Sequence, residues 1–162
     1  MFGGAKPVPV DPRNYRNFRR GDIIVSLAGI AMNLLLVVVC AVLIVGLGLL
    51  GRGLAPAAET LALVQRMMVW GILFNLILAF FNLIPIPPLD GSHVMYYLLP
   101  PSWALRYQQF GRFGIILLLI LIATDIGQPF FDRWMKPVDI LSRAALGAVR
   151  PYMLQSAYGL GI

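Results

Sequence analysis

The sequence predicts an all-α, polytopic transmembrane helical bundle, one membrane domain over residues 1–162 with about three spans and a C-terminal amphipathic or interfacial helix. Three observations carry this. Hydrophobic residues make up 59% of the chain and charged residues 12%, and the mean hydropathy is +0.81, all outside the range of soluble domains. Charge-free runs are long enough, at about 1.5 Å per helical residue, to cross a hydrocarbon layer of roughly 30 Å. Five of the thirteen basic residues, Lys6, Arg13, Arg16, Arg19 and Arg20, stand before the first such run. That placement turns the net charge of +6 from a nucleic-acid signal into that of a cytoplasmic flank facing anionic lipid. Membrane lipid is expected as a partner and nucleic acid is not.

Residues 1–22 read as a basic cytoplasmic loop, and prolines and glycines near Met1 leave no cleavable signal visible. Span 1 covers 23–50. Its early half carries Ser26, Ala28, Gly29 and Ala31, small residues that let a neighbouring helix approach, and Asn33, whose amide must face protein. Gly29 and Asn33 are therefore expected in helix packing. Cys40 allows no internal disulfide and no cysteine cluster. Arg52, Gly53 and Pro56 break the chain before span 2, residues 67–89.

Span 2 ends in a Pro-rich stretch, Asn82-Leu83-Ile84-Pro85-Ile86-Pro87-Pro88-Leu89-Asp90-Gly91, through which no helix continues. Non-helical backbone at membrane depth needs cover from protein or a water-filled cavity, so the segment belongs inside the bundle. A short helix over 92–99, a third span over 107–124 that needs Arg112 to snorkel, and an amphipathic helix over 136–154 follow. On that last helix Leu141, Ala145, Ala148 and Tyr152 form the apolar side.

Asp90 is the only ionisable residue between Arg66 and His93. An intramembrane carboxylate is a functional candidate by default; it could equally cap a helix starting at Ser92. Asn82 could cap the end of span 2 or present its amide to a substrate carbonyl. His93, the sole histidine, stands three residues after Asp90, a spacing at which the two can share a metal, but two ligands are too few for catalytic zinc.

The pattern Asn82-x-x-Pro85-x-Pro87-x-Leu89-Asp90-Gly91 resembles the second metal-site segment of the site-2 proteases, intramembrane zinc metallopeptidases of family M50. Gly4 to Val10 is similar to the loop that follows the first catalytic helix in bacterial members. Ser26 to Asn33 is similar to the next helix, with Ile30 where a proline is usual. The likeness covers roughly residues 2 to 124 and implies a bacterial inner-membrane protein with its basic N-terminus cytoplasmic. It also implies that Asp90 is the third zinc ligand, that Asn82 contacts the substrate or the developing oxyanion, that Pro85, Pro87 and Gly91 shape the site, and that His93 is no ligand. In that family two histidines of a His-Glu-x-x-His and the aspartate bind Zn2+, and the intervening glutamate takes a proton from the zinc-bound water that attacks a transmembrane substrate.

No His-Glu-x-x-His occurs in the 162 residues, whose one glutamate is Glu59. The chain alone is expected to lack stoichiometric zinc and peptidase activity. It reads as the C-terminal part of such an enzyme, through a misplaced gene start or a split enzyme whose partner chain carries His-Glu-x-x-His. The alternative is an inactive homologue that binds transmembrane segments of client proteins.

Overall fold

The computed structural model describes residues 18–125 and 127–154. The basic stretch before Phe18, with the Gly4 to Val10 likeness, lies outside the described residues. The described elements are helical: α1 (Phe18–Gly53), α2 (Ala58–Asn82), α3 (Asp90–Leu98), α4 (Pro101–Phe110), α5 (Gly114–Ala123) and α6 (Gln128–Val149), with 3-10 turns at Ala55–Ala57, Gly111–Phe113 and Arg150–Tyr152. Three stretches are long and apolar enough to cross a membrane: Arg19–Gly53, Ala58–Asn82 and Pro101–Ala123.

The α1 helix starts ahead of the apolar run. Residues 18–22, expected in the basic loop, are helical because their polar side chains find partners: Arg19 donates to the Tyr97 carbonyl at 2.6 Å and Asp22 meets His93 at 3.0 Å. The chain turns at Leu54 to Ala57 and returns as α2, antiparallel to α1, so that Gly71 lies against Cys40 and Gln65 against Ile44. A Cβ on Gly71 would stand 2.8 Å from the Cys40 sulfur, so the glycine is what allows that approach.

The core is a narrow seam. Cys40 and Ile44 of α1, Val69, Ile72 and Leu76 of α2, and Val138 and Val149 of α6 form one buried cluster. Outside it, Leu, Val and Ile side chains of α1 and α5 stand exposed, as suits a chain whose solvent is as apolar as its core.

The α6 helix packs along the α1–α2 pair, parallel to α1. Near its start Trp134 donates its indole N–H to the Phe80 carbonyl at 2.8 Å. Past its end, Gln65, 0% exposed, donates to the carbonyls of Ile44 (2.8 Å) and Tyr152 (3.1 Å) and accepts the Leu154 amide (3.0 Å). One buried amide of α2 thereby satisfies three backbone groups from two other parts of the chain, α1 and the stretch after α6. The buried stripe of α6 is Val138, Ser142 and Val149, whereas Leu141 and Ala148 of the expected apolar side are exposed. The helix turns its Val138 side inward because the cavity it fills is shaped by Ile44, Ile72 and Leu76.

The α4–α5 rod behaves differently. Tyr97, just before it, is tied to the first turn of α1, and α6, just after it, starts beside the end of α2. The rod therefore leaves and rejoins the bundle at the Asp22 end, and its middle packs on the Pro85 to Pro87 backbone.

Candidate metal-site segment

The α2 helix ends at Asn82 because Pro85 can neither donate to the helical ladder nor let its predecessor stay helical. The chain then descends through short turns: Ile84 N–H to the Phe81 carbonyl (3.1 Å), Ile86 N–H to that of Ile84 (2.8 Å), Leu89 N–H to that of Ile86 (3.0 Å). Pro87–Pro88 is cis. The cover that such backbone needs at membrane depth is present. Ile84 is 0% exposed, the Tyr107 hydroxyl donates to the Pro85 carbonyl at 2.9 Å, and Gly111 and Gly114 lie against Pro87.

Gly91 is buried with its Cα against the carbonyls of Leu83 and Ile84. A methyl group there would overlap backbone oxygen, so glycine is the residue that lets α3 start on the end of α2. Asp90 is the first residue of α3; the N-cap is Leu89, with no side-chain capping bond. Of the two readings left open for Asp90, the cap of a helix from Ser92 does not hold: the helix starts two residues earlier, as the Pro-rich turn already supplies the first carbonyl, that of Leu89, to the Ser92 amide at 2.9 Å.

The α3 helix runs antiparallel to α1, and three contacts fix its depth. Tyr97 meets Arg19, His93 meets Asp22, and Asp90 faces Gly29, where an added Cβ would stand 3.4 Å from its Oδ2. Gly29 is six residues beyond Ile23, the start of the charge-free run, so the Asp90 carboxylate stands about 9 Å inside it. Asp90 and Asn82 are both half-buried, and Gly29 is on an exposed face of α1 with Ala28 and Ala31. The α1 residues that pack inward here are Ser26 and Ile30; Asn33 is half-buried.

His93 is turned to Asp22, its Nδ1 3.0 Å from Oδ2, and is not held to Asp90. Arg19 stands 5.7 Å over the Tyr97 ring. Burial pushes the Tyr97 phenol up to about 12, assisted by its hydrogen bond to Asp22 and that carboxylate's charge. Asp22, Gln65 and Tyr107 are residues sequence reasoning missed. A helical reading carried back past residue 23 would have placed Asp22 two turns before Gly29 on the same face.

Among the described residues no three His, Cys, Asp or Glu side chains are grouped to hold a metal. In the Asn82 to Gly91 segment they present one carboxylate, that of Asp90, short of the three ligands a zinc centre takes.

Residues 54–122, from the turn before α2 into α5, match the family model of Peptidase family M50. Among curated proteins, "Putative zinc metalloprotease YwhC" of Bacillus subtilis (strain 168) is 36% identical over 126 residues, 78% of this chain and 57% of that protein. The chain thus spans little more than half the length of this relative. No solved structure matches it. The family match spans the Asn82 to Gly91 segment, three helices are long and apolar enough to cross a bilayer, and this integral membrane chain belongs to peptidase family M50, the family of the site-2 proteases.

Proposed function

We propose that this chain supplies the aspartate side of an intramembrane zinc endopeptidase site, with the His-Glu-x-x-His contributed by residues outside the given sequence. The observation that supports this is the Asp90 carboxylate, about 9 Å inside the apolar run and beside the small, exposed face around Gly29. A helix could approach that face closely. In this reading Asp90 is a metal ligand, Asn82 holds the carbonyl of a transmembrane protein substrate with its amide N–H, and Pro85, Pro87 and Gly91 fix the separation of the two. The described residues do not fit a complete zinc centre, so the chain's own part ends at one ligand and one hydrogen-bond donor. The Asp22 end faces the cytoplasm of a bacterial inner membrane in this reading, since the basic stretch before Phe18 leads into it.

The test is co-expression with a helix carrying His-Glu-x-x-His, followed by zinc analysis of the purified complex and a cleavage assay on a transmembrane substrate. About one zinc per complex is expected, as one three-ligand site requires, with loss of the metal in Asp90→Ala. Asn82→Ala should keep the zinc and lower kcat by about 10²-fold or more, the usual loss for an oxyanion donor. Zinc retained in full by Asp90→Ala would overturn the assignment. A complex that binds transmembrane clients equally well with Asp90→Ala and never cleaves them would establish the inactive, client-binding reading instead.

A further inference from the structure

The α6 helix is 22 residues long, yet it is not among the three stretches apolar enough to cross a membrane. It nevertheless lies alongside one of them. The Trp134 indole meets the Phe80 carbonyl and the Tyr152 carbonyl meets Gln65, so residues 134–152 run beside 65–80 of α2, about 23 Å of a membrane span. By the same count Leu141, seven residues past Trp134, stands at the level of Phe74, six before Phe80.

Three faces run along this helix. Val138, Ser142 and Val149 are buried in the seam. Leu141, Ala144 and Ala148 make an exposed apolar face, suited to lipid. Asp132, Lys136, Asp139 and Arg143, spaced by four, three and four residues, make an exposed charged stripe about 16 Å long. Hydrocarbon cannot solvate such a stripe at this depth. Its signs alternate, and Asp139 and Arg143 pair within the helix at 2.8 Å while their side chains stay 68% and 81% exposed, the pattern of a helix face in water. A second copy inserted in the same direction would set Asp132 against Asp132 and Lys136 against Lys136 at each level, so like charges oppose self-association through this face.

We propose that the charged stripe of α6 lines a water-filled crevice that enters the membrane at the Asp22 end and reaches the level of Ile72, near the middle of α2. Such a crevice carries water and small ions to mid-bilayer along one side of α6, while the Leu141 face of the same helix stays in lipid. It is independent of whether Asp90 binds metal.

Thiol labelling of the full chain, in membrane fragments open on both sides, tests it. Cys40 is buried, so the unsubstituted chain supplies the blank. Lys136→Cys, which leaves the Asp139–Arg143 pair intact, and Arg143→Cys should react with a charged, membrane-impermeant methanethiosulfonate about 10-fold or more faster than Leu141→Cys and Ala144→Cys. Only the thiolate reacts, and hydrocarbon holds a thiol protonated by a pKa unit or more. A nitroxide on Leu141→Cys should report the same bilayer depth as one on Phe74→Cys, an exposed position of α2. Unreactive stripe thiols would mean that a protein neighbour covers them and would overturn the proposal, as would equal rates on the two faces. A Leu141 nitroxide at headgroup depth would put α6 on the membrane surface and overturn it as well.

Discussion

Asp90 and Gly29 share one point in the fold: the aspartate Oδ2 stands 3.4 Å from where a Cβ on the glycine would be. That is ordinary contact distance for a methyl group and too close for a larger side chain to pass. Gly29→Ala should be accepted and, as the site is helical, should raise stability by up to about 1 kcal/mol. Gly29→Leu should push the carboxylate away, lowering zinc affinity of a reconstituted site by about 10- to 100-fold, the range seen when a ligand's orientation is lost. Thermal unfolding in detergent reads the first change and competitive metal titration the second.

Gly91 is intolerant for a different reason. Its neighbours are the Leu83 and Ile84 carbonyls, and backbone cannot step aside as a side chain can. Gly91→Ala should destabilise by about 1–3 kcal/mol, the range for overpacking. The Asn82 to Asp90 geometry should go with it, seen as faster proteolysis within 82–91. Gly114→Ala, against the Pro87 carbonyl, should behave alike.

Gln65 joins α1, α2 and the stretch after α6 through three hydrogen bonds. Gln65→Leu leaves the Leu154 amide and the Tyr152 carbonyl without their partner, at about 1–3 kcal/mol for each group that stays buried. Hydrogen exchange should show the Leu154 amide losing protection first, while amides of the α2 interior stay slow. Equal loss throughout α2 would mean the residue supports the whole bundle and not the C-terminal anchor.

The Tyr97 phenol, held up to about 12 against an ordinary 10.0, is neutral in the folded chain where an unfolded chain would already ionise. A raised folded value favours the protonated form, so the stability it contributes is present below pH 10 and is lost as pH rises through about 12. Phenolate absorbance, taken as the difference between wild type and Tyr97→Phe, should titrate near 12. Asp22→Asn should lower that midpoint without returning it to 10, because burial is the larger cause.

Much of the site was legible in one stretch of sequence. Three prolines and a glycine within ten residues forbid a helix through 83–89, and α2 does end at Asn82. The cover demanded for that backbone is there in Tyr107, Gly111 and Gly114, though none of these is marked in the sequence as its partner. Periodicity gives a stripe of apolar residues on α6 and not its rotation against a neighbour: Ala145 of that stripe packs on the buried cluster, while Leu141 and Ala148 stand exposed. Leu141 and Val138 are equally apolar, and only the latter meets Ile44, Ile72 and Leu76.

By itself the sequence determined what local chemistry determines: apolar lengths set by the thickness of a bilayer, a helix broken where proline has no N–H to give, and a lone carboxylate beyond the break. Tertiary structure alone decided the rest. The antiparallel return of α3 along α1 sets Asp90 at the level of Gly29 and His93 at Asp22, residues some sixty to seventy positions apart in the chain. No local preference encodes such a meeting, because it follows from where two helices cross and how closely a glycine lets them come.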